Sequence, residues 1–386
     1  MKIKTISTTE AIPDMIVGDD IYSNNGQLII PKGTVLTNRS ITRLKFYSIA
    51  TIKVVIGEES DNITEEQEQP LDQDKPRETN KEPEVPEKLK KVKTATEAVR
   101  ETPEYKYFNK AVIESSKVLE KSFNTFIDHD EEDQSLAAER LLDQTKETIA
   151  ASRNPLHTFH MLQSMRDHDD ATFVHSLNVS IICNAFGKWL EMSKEDIDAL
   201  TLAGLLHDIG KVNVPEFIIK KPGSLTAVEY TTIKLHARRG YNILNPLSID
   251  PRIKNAALMH HERLDGSGYP SGLKGDEIDE FAKIVSIADI YDAMTSARVY
   301  RGPLCPFDVI SIFESEGYIR FDPHYQLIFL QNVVDSYIND TVRLSNGQVG
   351  EIVMINKLKL SKPVVKIGDE FLDLSSAGGI TIEAIL

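Results

Sequence analysis

Thr201–Lys211 reads TLAGLLHDIGK, an apolar run of helical character that ends on adjacent His207 and Asp208. A helix this apolar is buried, and a buried helix holds the side chains at its end rigidly. Lys211 follows His207 by four residues, so both are expected to project from one face of a continuing helix. Working outward, His175, His236, His260 and His261 recur through the same helical region, and Asp289 lies in a second apolar run, KIVSIADIYDAM. A buried acid without a positive partner is costly, and a metal ion is one such partner. Imidazole and carboxylate suit first-row divalent metals, and no cysteine joins the set, which excludes an all-thiolate zinc site. A lone buried histidine is usually a hydrogen-bonded core residue. Seven candidate ligands in one helical region point instead to a metal centre.

The remainder of the 386 residues divides by composition. Residues 1–56 read as a small β-rich unit: IYSNNGQLIIPKGTVL (21–36) has two apolar runs around Asn24-Asn25-Gly26, a hairpin pattern. A short helix is expected around Ser40–Tyr47 and a strand at Thr51–Ile56. Residues 57–103, rich in Glu, Asp, Lys, Gln and Pro, read as a disordered tether. A helical connector over 104–155 leads into the helical domain, 156–338. The tail, 339–386, returns to β periodicity, with VRLSNGQVGEIVMI turning at Asn346-Gly347 and further strands at PVVKIG and ITIEAIL. The expected fold class is therefore mainly α, with a small β-rich unit at each end.

Charge and composition narrow the function. Forty-four Lys+Arg against 59 Asp+Glu leave a net charge of −15, which argues against DNA or an anionic membrane as partner but leaves room for a phosphate ligand in a local positive site. No apolar run approaches the roughly 20 residues needed to span a bilayer. The start, MKIKTISTTEAIPDM, lacks the apolar core of a secretion signal, and two cysteines, Cys183 and Cys305, make no disulfide framework. A cytoplasmic protein is expected.

Several segments carry a resemblance. HSLNV at His175, HDIGK at His207, LHARRGYNIL at His236, HHERLDGSGYP from His260 to Pro270, ADIYDAMTS at Asp289 and RVYR from Arg298 to Arg301 resemble, in order and spacing, the HD-GYP family of cyclic di-GMP phosphodiesterases. The resemblance implies a helical domain holding two divalent metal ions, Fe or Mn, bridged by Asp208. His175, His207 and Asp289 would complete one ion, and His236, His260 and His261 the other. It implies hydrolysis of cyclic di-GMP to linear pGpG by attack of a metal-bridging hydroxide on phosphorus, with a further step to GMP left open. Lys211 would face a phosphate oxygen, and Gly268, Tyr269, Arg298 and Arg301 would contact the substrate. In the GYP loop, Gly266, Gly268 and Gly272 are expected to allow close backbone approach and positive φ. Glu262 and Asp265 are expected to orient the neighbouring imidazoles. Where some family members have a glutamate that holds a third metal, this chain has Ala171, beside Asp170, which favours two metals. A catalytically silent receptor, or a phosphodiesterase for another cyclic dinucleotide such as cyclic GMP-AMP, are the alternatives. A homodimer through the helical region is compatible with the pattern.

Overall fold

The computed structural model describes residues 2–8, 10–22, 28–37, 40–41, 44, 49, 51–56, 99–128, 131–165, 172–219, 221, 225–296 and 304–386, without side chains at 124–133 and 172. At the start, β1 (Lys2–Ser7), β5 (Thr51–Ile56) and β2 (Ile16–Val17) form one antiparallel sheet in the order β1-β5-β2. The expected hairpin is present as β3 (Ile21–Tyr22) paired with β4 (Leu28–Ile30). Of the helix expected over 40–47, only residues 40, 41 and 44 are described, and these are helical; most of the expected tether, 57–98, lies outside the described residues. Its last residues are already ordered. Residues 99–101 are helical, and the Thr102 hydroxyl accepts the Tyr105 amide at 3.2 Å where the next helix begins, an N-cap contact.

Long helices follow: α1 (Pro103–Asp128), α2 (Glu131–Ala150), α3 (Pro155–Ser164), α4 (Thr172–Trp189) and α5 (Lys194–Leu206). A 3-10 segment (Ile209–Asn213) leads to α6 (Glu216–Ile219), α7 (Ala227–Leu244), α8 (Pro251–Met259) and α9 (Glu280–Thr295). After α10 (Pro306–Ile312) the helix widens into a π turn at Phe313–Gly317. It continues as α11 (Tyr318–Arg320) and α12 (Pro323–Asp335). Start signals in the sequence place the helices that carry the histidines. Ser193 caps α5, Thr226 and Glu229 form a reciprocal capping box on α7, and Asp250-Pro251 and Asp322-Pro323 open α8 and α12. The central helix α4 is buried around most of its length and packs against α3, α5 and α9. Phe159, Phe186, Trp189, Tyr291 and Phe329 form the aromatic core beneath it, so Phe186 and Trp189 are packing residues.

The tail is a five-stranded antiparallel sheet, ordered β10-β6-β7-β8-β9, from β6 (Thr341–Leu344), β7 (Val349–Met354), β8 (Val364–Ile367), β9 (Glu370–Asp373) and β10 (Ile382–Ile385). Gly347 takes φ +83° in the expected turn, and the Asn346 side chain accepts the Gln348 amide at 3.1 Å. Strand β9 was not expected from its sequence, EFLD, because so short a segment shows no periodicity. The sheet is tied to the helices where the Glu314 carboxylate, in the π turn, accepts the amides of Leu360 and Ser361. Among the described residues no helix is long and apolar enough to cross a membrane.

Candidate metal centre

Helix α5 ends at Leu206, and His207 is its C-cap. Asp208 sits in the turn before the 3-10 segment that contains Lys211. The expected continuous helix through Lys211 is therefore replaced by a tighter turn. Lys211 reaches its place by folding back, so that its ammonium donates to Asp208 Oδ2. The turn is tight because Gly210 lies directly on α7: a Cβ there would overlap the His236 carbonyl oxygen and the Gly240 amide nitrogen, both backbone atoms. Gly210→Ala should therefore push the Asp208 turn away from α7 and destabilise the protein by about 1–3 kcal/mol, the range of overpacking a dense core. A lower midpoint in denaturant with unchanged slope would show it, and wild-type stability would refute it.

All seven expected ligands converge. His175 comes from α4, His207 and Asp208 from the end of α5, His236 from α7, His260 and His261 from the end of α8, and Asp289 from α9. Two groups of ligand atoms share Asp208. His175 and His207 lie on one side, and His236, His260 and His261 on the other. Asp208 Oδ2 is 3.3 Å from His207 Nε2 and 4.0 Å from His175 Nε2. Its other oxygen, Oδ1, is 3.3 Å from His236 Nε2 and 3.9 Å from His260 Nε2. Asp289 Oδ1 lies 3.1 Å from His175 Nε2, and its Oδ2 lies 4.0 Å from His261 Nδ1.

The histidine tautomers decide what this cluster can accept. Nδ1 of His207, His236 and His260 faces the carbonyl oxygens of Gly204, Ile233 and Ala256 at 2.7, 2.7 and 3.0 Å. A carbonyl only accepts, so each Nδ1 carries a proton and each ring turns its Nε2 into the cluster. Burial holds His236 below its ordinary value; burial, then the neighbouring His207 and His236, lowers His260 to about 3. Both rings are thus neutral, yet their Nε2 atoms stand 3.2 Å apart, acceptor against acceptor. Buried His207 Nε2 likewise has no hydrogen-bond partner. Lone pairs converging without a donor fit a cation between them, and the donor set of neutral imidazole and carboxylate suits a divalent metal. The cluster fits a metal centre.

Asp208 and Asp289 are held well below the usual carboxylate range. Burial opposes this, but Lys211 and His207 outweigh it at Asp208, and His175 does so at Asp289. Against the lowering effect of burial, hydrogen bonds to Asp289 and Asp292 push His175 up to about 10.

Asp292 is the residue that the sequence reading missed. Its Oδ2 accepts His175 Nδ1–H at 2.8 Å, while Asn178 and Ser296 donate to its Oδ1 at 3.3 and 3.1 Å. It therefore fixes the His175 ring so that Nε2 faces the cluster. The signal was available: Asp292 follows Asp289 by three residues, which places both carboxylates on one face of α9.

The GYP loop packs beneath the site. Gly266 and Gly272 take φ of +79° and +69°. Gly268 has no positive φ but sits where a Cβ would overlap Glu262 Cα and His261 O. Tyr269 stacks on His261, ring centroids 4.6 Å apart at 28°, and its amide donates to the His261 carbonyl at 3.2 Å. Glu262 does not orient an imidazole, as had been expected. Its buried carboxylate accepts the Ser271 and Leu273 amides at 2.7 and 3.1 Å, closing the loop on itself. Asp265 accepts the Ser267 amide at 2.9 Å within the same loop. Arg298, Arg301, Asp170 and Ala171 lie outside the described residues.

Residues 144–325 match the model of the HD domain family. The chain is 32 % identical over 232 residues to a cyclic di-GMP phosphodiesterase of Pseudomonas aeruginosa, covering 60 % of this chain and 55 % of that protein. It is 43 % identical over 145 residues to 3′3′-cGAMP-specific phosphodiesterase 1 of Vibrio cholerae, covering 38 % and 34 %. A cyclic di-GMP phosphodiesterase response regulator of Xanthomonas campestris is 37 % identical over 166 residues, 42 % of this chain and 43 % of that one. The chain thus spans between a third and just over half of the length of these relatives. Residues 144–325, just under half of the chain, are thus similar to the HD domain family, and the relatives they match are of the HD-GYP type.

Proposed function

We propose that the protein is a metal-dependent phosphodiesterase that opens cyclic di-GMP to linear pGpG. The observation that carries this reading is the pair of ligand groups sharing Asp208, whose two oxygens face different histidines. Bound there, two divalent ions, Fe or Mn, would supply Lewis-acid charge at phosphorus and a water activated at neutral pH. The chain's own residues do the rest. Asp208 holds both halves of the site in register, and Asp289, with Asp292 behind it, sets His175. Lys211 brings a positive charge to the same edge of Asp208, where it meets a nonbridging phosphate oxygen. Arg298 and Arg301 would contact the substrate at a phosphate oxygen or a guanine edge, as forked donors suit. A silent receptor would have no use for the complete ligand set.

The relatives named for cyclic di-GMP and for 3′3′-cGAMP both support a cyclic dinucleotide as substrate. The identity of 43 % to the 3′3′-cGAMP enzyme over 145 residues favours that dinucleotide as the second reading. An anaerobic assay with cyclic di-GMP, 3′3′-cGAMP and cyclic di-AMP, with metals counted on the same sample, tests both. We expect preference for cyclic di-GMP and two metals per chain, since Ala171 offers no ligand atom. Turnover confined to 3′3′-cGAMP would transfer the assignment to the second reading. A homogeneous active sample with three metals would refute the two-metal site.

A further inference from the structure

Lys234 lies on α7 two residues before His236, and no carboxylate among the described residues lies within 4.0 Å of its ammonium. Three other cations of this region are engaged: Lys211 by Asp208, Lys221 by Glu229 at 2.7 Å, and Arg239 by the Asn213 carbonyl at 2.6 Å. The Lys234 ammonium instead stands 4.6 Å from the centre of the Tyr230 ring and 5.1 Å from that of Tyr269. Tyr269 in turn stacks on His261, one of the clustered histidines, so the ammonium sits at the rim of the metal centre. Two aromatic faces position a cation without neutralising it, and they leave its N–H donors available.

A cyclic dinucleotide carries a second phosphodiester across its ring from the one that is cleaved. A scissile phosphate over Asp208 would leave the second to reach toward the rim. The chain's net charge of −15 repels a dianionic ligand at long range, so a local positive group must hold that phosphate. Building on the cyclic-dinucleotide reading above, we propose that Lys234, clasped between Tyr230 and Tyr269, binds the phosphodiester that is not cleaved. It is a binding residue, separate from Lys211, and it favours substrates with two phosphates over simple diesters. Tyr269 then has two tasks on its two sides: it backs His261 and it places Lys234.

The test compares wild type, Lys234→Gln and Lys234→Arg as full-length, metal-loaded proteins. Each is assayed on cyclic di-GMP, on 3′3′-cGAMP and on bis(p-nitrophenyl) phosphate, which has a single phosphodiester. One charge-assisted contact made equally in ground and transition states should appear in KM. Lys234→Gln should raise KM for the cyclic dinucleotides that wild type cleaves by about 10–100-fold, with kcat within about threefold. It should leave kcat/KM for the simple diester and the metal content unchanged, and Lys234→Arg should restore most of the affinity. Equal loss on the dinucleotide and the simple diester would show that Lys234 only braces Tyr269, and would overturn the proposal. So would an unchanged KM for the dinucleotide. If wild type cleaves the simple diester but neither dinucleotide, the cyclic-dinucleotide reading falls, and Lys234 with it; that outcome is visible in the wild type alone.

Discussion

Asp208→Ala should abolish hydrolysis and remove most of the bound metal, both ions together, while the helical circular dichroism stays near wild type. The geometry makes this variant differ in kind from any single histidine variant. Oδ1 serves the side with His236 and His260, and Oδ2 serves the side with His207 and His175. Removing one histidine leaves the other group whole; removing Asp208 takes a ligand from both. The fold should survive because the backbone of the turn is held independently, by the Lys211 amide on the Asp208 carbonyl and by Gly210 against α7. The rings of His207, His236 and His260 are anchored independently of Asp208, since each Nδ1 keeps its carbonyl partner. Elemental analysis of both proteins, with circular dichroism as the folding control, checks the expectation. Unchanged metal content, or full activity, would refute the shared role of Asp208. His236→Ala is the informative companion, since it should lose one ion and keep the other.

The convergence of the histidines and aspartates was legible in the sequence because each sits in a segment whose helical signal is strong. Apolar runs and capping residues fix where α5, α7, α8 and α9 start; His207, His260 and His261 stand at the ends of α5 and α8, and His236 in the middle of α7. What was not legible depends on how one segment lies against another. Asp292 is an ordinary helix carboxylate until α4 brings His175 within 2.8 Å of it. Glu262 reads as a neighbour of two histidines, but chain direction turns it away from them and on to loop amides nine and eleven residues ahead. The end of α5 at Leu206 was missed for a similar reason: a 3-10 turn is chosen by the contact of Gly210 with α7, a tertiary effect with no local periodicity. Lys234 carries no motif, and only the two rings beside it distinguish it from any exposed lysine.

Lys211→Ala should lower kcat by about 10²–10³-fold and leave both metals in place, the loss seen when one preorganised donor to a developing oxyanion is removed. The contact with Asp208 offers a competing account, in which the lysine merely neutralises a buried acid so that it can hold metal. The structure weighs against that account. Asp208 also lies 3.3 Å from His207 and from His236, and bound metal ions would add far more positive charge at the same oxygens than one ammonium does. With ions bound, Asp208 would no longer need the lysine, and the ammonium would be free to face a phosphate oxygen of the substrate. Its position on the 3-10 turn suits this, because the side chain reaches Asp208 from the open edge of the site; it is half-buried, whereas Asp208 is sealed. Steady-state kinetics and metal analysis on the same preparation separate the two roles. A fall in kcat with full metal content and little change in KM assigns Lys211 to the transition state. Metal lost in proportion to activity would assign it to the upkeep of Asp208 instead. Lys211→Arg sharpens the distinction: a guanidinium keeps the charge but is planar and bulkier. It should therefore retain metal while recovering only part of kcat, as expected of a group that must meet one phosphate oxygen at one place.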